Sequence, residues 1–395
     1  MGSQFTQLAM AWQMYELTNS PLQVGLLGLA RFVPQASLGL VGGVLADALD
    51  RRRLLIGTQI GQFTVSAILV VITLTGAVTP VILYLGVAAL ALFSALDNPT
   101  RVSVVPNLVP PQHLASGMAV MNLSTKTGSV LGPPIAGLAI LIGGPALCYA
   151  ADAASWLALL VALLLLKGNT QTVRARGSLS LRSIGPGIRY VRARPVILSV
   201  LFLDFGAQLL GTNRALLPVY ARDILDVGAP GLGLLYAASS LGAVLAGTTI
   251  SVRTPMRRMG MLVLVGVAIF ALSSAVFALS RVFWLSVLMM AAAGAGNSLS
   301  TILRGTITQL DTPDGLRGRV ASIGNLFTSS GPRLGQAQSG ALAELAGVPV
   351  AAFAGALATL GLIGVIGVVS PLRAYEAPDT RDRRVVVTPG SSTQV

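Results

Sequence analysis

Charged residues are scarce in this 395-residue chain: Asp, Glu, Lys and Arg together make up 10% of it, against about a quarter in a soluble globular protein. That is too few to coat a particle of this size in water, so most of its surface must face lipid. Cysteine occurs once, as Cys148, which excludes an internal disulfide and reads as a small apolar filler. Histidine also occurs once, as His113. A histidine-based triad or a histidine-rich zinc site therefore has no material, and His113 reads as a solvated loop residue. Aromatic residues make up only 5%; Phe63, Trp156 and Trp284 are expected to face lipid or the core. No Gly-x-x-x-x-Gly-Lys-Ser/Thr loop occurs, which argues against ATP as the energy source. No His-Glu-x-x-His or Gly-x-Gly-Asp element occurs either, so an intramembrane enzyme is not indicated. Residues Met1 to Thr18 lack a basic n-region and a small-residue cleavage site, so no cleaved signal peptide is expected there.

What fills the chain instead is apolar. Hydrophobic residues make up 53%, and the mean hydropathy is +0.77. A helix needs about 20 predominantly apolar residues to cross a bilayer. Eleven runs between polar or Gly/Pro breaks are candidates, at 22–46, 54–76, 80–101, 118–142, 145–166, 195–220, 231–252, 260–280, 283–305, 321–345 and 348–370. Residues 4–17 form a shorter apolar stretch interrupted by Gln4, Gln7 and Gln13. It is either the end of a first spanning helix whose beginning is missing or an interfacial segment.

The formal net charge of +13 would suggest nucleic acid in a soluble protein. Its distribution argues otherwise. With 4–17 as the first helix and its start cytoplasmic, one set of loops receives Arg51, Arg52, Arg53, Arg257, Arg258, Arg317, Arg319 and Arg373. The opposite loops hold only Arg222 and Arg281. Loops rich in Lys and Arg stay in the cytoplasm, so both termini are expected there, with the cations against the anionic leaflet of a bacterial-type inner membrane. Segment 167–194 carries seven Lys/Arg and no Asp/Glu. It is expected to be a basic cytoplasmic linker between a half at 1–166 and a half at 195–373, with 374–395 a disordered tail.

The chain also repeats itself. Gly42-Gly43-Val44-Leu45-Ala46-Asp47 is echoed about 200 positions later by Gly242-Ala243-Val244-Leu245-Ala246-Gly247. Leu108, Pro111, Leu114 and Ala119 are matched by Leu310, Pro313, Leu316 and Ala321. Gly43-Val44-Leu45-Ala46-Asp47-Ala48-Leu49-Asp50-Arg51-Arg52-Arg53 resembles the loop 2–3 signature of the major facilitator superfamily, with Ala48 where a basic residue is usual and Asp50 where glycine is common. Asp97-Asn98-Pro99-Thr100-Arg101 and Lys126 through Gly137 resemble its drug and siderophore exporter branch, which holds the enterobactin exporter and macrolide and multidrug efflux proteins. The resemblance covers nearly the whole chain. It implies an all-α polytopic fold of two pseudo-symmetric six-helix halves, the first helix here appearing truncated. It also implies that Gly43, Asp47, Arg51, Arg52 and Arg53 form a gating loop, Asp97 and Arg101 an inner charge network, and Gly132, Pro133 and Gly137 the fifth-helix element of exporters.

Ionisable groups at bilayer depth cost about 2.5–3.5 kcal/mol each on insertion scales, so they face a cavity or a partner. The acids in such positions are Glu16, Asp97, Asp152 and Asp204, and the bases Arg31, Lys126, Arg214 and Arg333. Asp204 and Arg214 are about 15 Å apart along a continuous helix, too far to pair. The family architecture implies that Asp204 is the leading candidate for a coupled proton or a cation contact, with a structural ion pair as the alternative. Arg214, Arg333, Lys126 and Arg31 are candidates for substrate binding. The function expected is proton-coupled export of an amphipathic small molecule by alternating access, without cofactor or metal, by a monomer. Uptake of a nutrient through the same fold and a non-transporting scaffold or sensor are the alternatives.

Overall fold

Capping residues and Gly/Pro breaks set the ends of the helices. The computed structural model describes residues 1–48, 50–165, 185–252 and 257–376, and their side chains except those of 38–48, 51, 103, 105–108 and 111. Helix α1 (Gly2–Thr18) closes on Asn19, which takes a left-handed φ of 47°. Helix α2 (Pro21–Ala48) follows, and α3 (Arg51–Leu74) starts where the Asp50 carboxylate accepts the amides of Arg52 and Arg53 at 2.9 and 3.2 Å. The Thr79 hydroxyl caps α4 (Pro80–Leu108), whose first residue is a proline that needs no amide partner. Helix α5 (Leu114–Leu165) is 52 residues long but is two limbs, folded at Gly143–Gly144. Gly144 has φ 67°, a conformation that a side chain would strain.

Then come α6 (Gly185–Ala193), α7 (Pro195–Gly211), α8 (Leu217–Val219), α9 (Gly228–Val252), α10 (Met259–Leu279), α11 (Phe283–Asp311), α12 (Arg317–Ala346) and α13 (Val348–Val369). No strand occurs among the described residues. The helices α1–α5 form one half and α7–α13 the other, joined where α2 packs on α12 and α5 on α9. The repeat read from the sequence has a structural counterpart. A 3₁₀ turn at Pro111–His113 leads from α4 into α5, and one at Asp314–Leu316 leads from α11 into α12.

Solvation is inverted relative to a soluble protein. Leu85, Leu141, Ile142 and Trp284 are exposed on the outside, whereas Thr6, Gln13, Gln59, Gln62 and Ser66 are buried within the bundle. Seven helices among the described residues, counting α5 once, are long and apolar enough to cross a bilayer. Helix α12 is not one of them although 30 residues long, because it carries Arg333, Gln336 and Gln338 where an apolar run was expected at 321–345.

Three boundaries differ from the sequence reading. The expected helix at 195–220 ends at Gly211, and a π-helical turn at Tyr220–Ile224 follows α8. Pro218 has no amide to offer the Arg214 carbonyl four residues back, and the Tyr236 hydroxyl donates to that carbonyl instead at 3.0 Å. Hydropathy alone runs straight through this break. Of the expected linker, 167–184 lies outside the described residues, whereas Gly185–Ala193 is a helix set 100° from α7. Val191 is buried against Ile197, Leu201 and Val320 while Arg189 and Arg192 stay exposed, as a helix lying along a membrane surface requires. The expected tail opens within a 3₁₀ turn, Pro371–Ala374, and the Gly260 amide donates to the Tyr375 carbonyl at 3.2 Å, holding this segment to α10. Residues 377–395 lie outside the described residues.

Candidate functional site

Helices that are too polar for lipid turn those polar residues inward. Gln4 and Gln7 on α1, Arg31 and Gln35 on α2, Gln62 on α3 and Ser94 on α4 line a cavity of about 610 Å³, together with Asp97, Arg101, Ser124, Asp152, Trp156 and Arg333. It runs from Arg101, towards the face where the Arg-rich loops lie, into the centre of the bundle. Gln4, Gln7 and Arg31 also line a smaller chamber of about 90 Å³ between the halves. Arg214, Tyr236, Ser240 and Gln336 complete its polar wall, and Leu8, Met10, Leu27 and Val87 its apolar one.

The two carboxylates on the cavity wall are already engaged. Asp97 pairs with Arg101 one turn further along α4 and accepts from Thr58 at 3.3 Å; the Arg101 guanidinium lies 5.8 Å from the Trp156 ring. Trp156 therefore belongs to the cavity and not to the lipid face. Asp152 is fully buried and accepts hydrogen bonds from Thr6 and Ser66, both at 2.8 Å. No arginine or lysine pairs with it among the described residues.

Arg31, which lines both spaces, Arg214 of the inner chamber and Arg333 of the larger cavity have no carboxylate partner among the described residues. Arg31 makes no hydrogen bond or ion pair among the described residues, and both Arg333 and Arg214 are close enough for their charges to act on it. Arg333 donates to the Ser329 carbonyl of its own helix, and its Nε is buried without an acceptor. The Arg214 guanidinium lies 6.0 Å from the Tyr236 ring. Of the candidates named from sequence, the fold thus brings Arg31, Arg214 and Arg333 together. It does not bring Lys126 to them: Lys126 is exposed on α5 and lines neither space, although its neighbours Thr125 and Gly128 line the larger one.

Asp204 is also elsewhere. It forms an ion pair with Arg304 of α11 at 2.6 Å and accepts from Thr328 of α12 at 2.7 Å. Both charged residues are only 5% exposed, and neither lines the two spaces described above. The Asp204 carboxylate thus bridges α7, α11 and α12, the arrangement that the structural alternative expects. Arg304 was not among the expected intramembrane bases, because its position suggested a helix end; α11 in fact continues to Asp311. In the loop motif, Arg52 donates to the carbonyls of Leu163 and Leu164 at 3.4 and 3.2 Å, and Arg53 is exposed. The surroundings of Gly43 and the side chains of Asp47 and Arg51 lie outside what the structure describes.

The halves meet at the face opposite the Arg-rich loops. There the Tyr15 hydroxyl donates to Asp223, the Ser20 hydroxyl to Glu344 at 2.8 Å, and Arg222 to the Asn19 side chain at 3.2 Å. The hydrogen bonds seen between described residues of the two halves all lie at this face. Glycines permit the contact: a Cβ on Gly340 of α12 would lie 2.7 Å from the Pro21 carbonyl oxygen and 3.0 Å from Gly25 Cα on α2. Likewise a Cβ on Gly137 of α5 would strike the Ala229 carbonyl, and one on Gly233 of α9 the Pro133 carbonyl. Two of the three fifth-helix residues, Pro133 and Gly137, therefore sit at the crossing of the halves. The third, Gly132, faces Gln4 of α1 instead. The hydrogen bonds between described residues of the two halves thus lie at one face, away from the Arg101 end of the larger cavity.

Comparison with known proteins agrees with this architecture. The sequence profile described as transmembrane secretion effector matches residues 1–394. Over 346 residues the chain is 29% identical to the enterobactin exporter EntS of Escherichia coli O81 (strain ED1a), covering 86% of this chain and 81% of that protein. Among solved structures, the nucleoside transporter NupG superposes with a TM-score of 0.72 at 13% identity, covering 92% of this chain and 96% of that one. A bacterial homologue of the human lysosomal transporter Spinster, in an inward-facing and occupied conformation, superposes with a TM-score of 0.70 at 16% identity, covering 92% and 94%. At such identities the structural likeness speaks for the fold alone.

Proposed function

The chain belongs to the transmembrane secretion effector family, and on that premise we propose that it exports an amphipathic, siderophore-like small molecule from the cytoplasm by alternating access. The observation that carries this reading is the asymmetry of the cavity. A polar space enters the bundle from the Arg-rich side, and the two halves are latched together beyond it. With those loops in the cytoplasm of a bacterial inner membrane, this is the state that accepts cargo from inside. The direction of transport is supported by the name of the relative, an enterobactin exporter.

Proton coupling falls to Asp152 in this reading. It is a buried carboxylate on the cavity wall that accepts from the Thr6 and Ser66 hydroxyls and pairs with no arginine or lysine among the described residues. A carboxyl placed in this way exchanges a proton with the cavity without breaking an ion pair.

Membrane vesicles carrying the chain, energised with a proton gradient, are expected to move at least one compound of a panel of siderophores, dyes and antibiotics against its gradient. Dissipating the gradient should stop that movement. Asp152→Asn should lower uphill export about tenfold or more, a loss of about 1.4 kcal/mol in driving interaction, while downhill exchange of the same compound continues. Failure of every compound to move would refute the transport reading. Uphill export surviving in Asp152→Asn would remove this residue from the coupling.

A further inference from the structure

We propose that the cargo is an amphipathic organic anion, held where the inner chamber meets the larger cavity by Arg31, which lines both, with Arg214 of the chamber and Arg333 of the cavity, an inference that rests on the transport reading above. The guanidinium groups come from both halves. Arg31 stands on α2, Arg333 on α12, and Arg214 in the break after α7 that Pro218 creates.

An isolated cation within a bilayer is expensive, and the usual remedy is a carboxylate partner. Here the two carboxylates on the cavity wall are occupied, Asp97 by Arg101 and Asp152 by Thr6 and Ser66. Arg31 and Arg214 make no side-chain hydrogen bond or ion pair among the described residues, and the Nε of Arg333 is buried without an acceptor. Arg31 therefore stands between two like charges, Arg214 on the chamber side and Arg333 on the cavity side, and no carboxylate pairs with any of the three among the described residues. Such a cluster is complementary to a negative charge that comes and goes. Guanidinium is the group best suited to grip a planar oxyanion through two parallel hydrogen bonds.

The apolar residues of the inner chamber define the rest of the ligand. Leu8, Met10, Leu27 and Val87 form an apolar surface in the same chamber. A ligand with an acidic end and an apolar body satisfies both walls. The clamp also gives the anion a mechanical role, because closing on it draws Arg31 towards Arg214 and Arg333 across the interface of the halves.

The test needs no knowledge of the cargo. Ser240 lines the chamber, and the native Cys148 is buried. Full-length Ser240→Cys protein in phosphatidylcholine nanodiscs is treated with 2-sulfonatoethyl methanethiosulfonate, an anion, or with its trimethylammonium analogue, a cation. The anionic reagent should react at least about tenfold faster relative to the free-thiol rates, equivalent to 1.4 kcal/mol. Arg31→Gln and Arg333→Gln should each erode that preference, and Arg31→Lys should retain most of it. Equal or faster reaction of the cation would overturn the proposal whether or not any compound is transported. Loss of transport with the anion preference intact would sink the export reading and leave the anion site standing. Adding phosphatidylglycerol to the nanodiscs should change neither rate ratio. If it protects the thiol selectively from the anion, a lipid headgroup and not cargo occupies the clamp, and the proposal fails.

Discussion

Asp204→Asn alone, or Arg304→Met alone, should leave little folded protein in the membrane, whereas Asp204→Leu with Arg304→Met should restore it. The pair is buried, 2.6 Å apart, and ties α7 to α11, with Thr328 of α12 donating to the same carboxylate. Breaking one partner leaves an uncompensated buried charge, a loss of about 3–5 kcal/mol, while exchange of the whole pair for apolar residues of similar size is often neutral or stabilising. Arg304 keeps a hydrogen bond to Thr301 at 3.0 Å, which is too weak to replace the carboxylate. Freed of Asp204, Thr328 can turn to a carbonyl of its own helix. Yield of monodisperse protein and its thermal midpoint in detergent check the outcome. A well-folded Asp204→Asn protein that has lost only proton coupling would contradict the structural role and return Asp204 to the transport mechanism.

Bulk at the glycine crossings should have an effect as large on transport and a smaller one on folding. Gly340→Val and Gly137→Val each place side-chain atoms against backbone of the other half, and backbone cannot rotate away as a side chain can. The halves then cannot shut at the face where Tyr15, Ser20 and Arg222 make their bonds across the interface. Export is expected to fall by about tenfold or more, which needs only about 1.4 kcal/mol against the closed state. A cysteine placed at Ser20 should at the same time react faster with reagents added from the far face. Gly361→Ala on α13 is the control: nothing lies within 4 Å of the added methyl, and export should be unchanged. Normal export by Gly340→Val would mean that this crossing does not need to close.

These two features differ in how far they could be read from the chain itself. The crossings were half legible. Gly132, Pro133 and Gly137 stood out as small and kinking residues in a helix, but only their neighbours show that Gly137 and the Pro133 carbonyl meet α9 while Gly132 meets α1. The repeat was legible because matched Pro and Leu positions mark the same 3₁₀ turn in each half. The Asp204–Arg304 pair was not, since it joins helices about a hundred residues apart and no local pattern fixes which faces meet. Bases at bilayer depth were visible as a class, Arg304 excepted. Their division into the clamp formed by Arg31, Arg214 and Arg333, the pair made by Arg304 and the surface position of Lys126 depends on helix rotation, which hydropathy does not carry. The break after Gly211 escaped for the same reason: apolar residues continue through it, and only the lost amide of Pro218 hints at it.

Alternating access itself is most directly tested by fastening the closed face. Ser20 and Glu344 belong to opposite halves and are hydrogen-bonded at 2.8 Å. The double variant Ser20→Cys with Glu344→Cys is joined by a short, reducible bis-maleimide, and export into the medium is measured in the same sample before crosslinking, after it and after reduction. The crosslink should form readily in the resting protein, stop export and release it again on reduction, while each single-cysteine variant carries the reagent without effect. Undiminished export by fully crosslinked protein would contradict a mechanism in which this face must open.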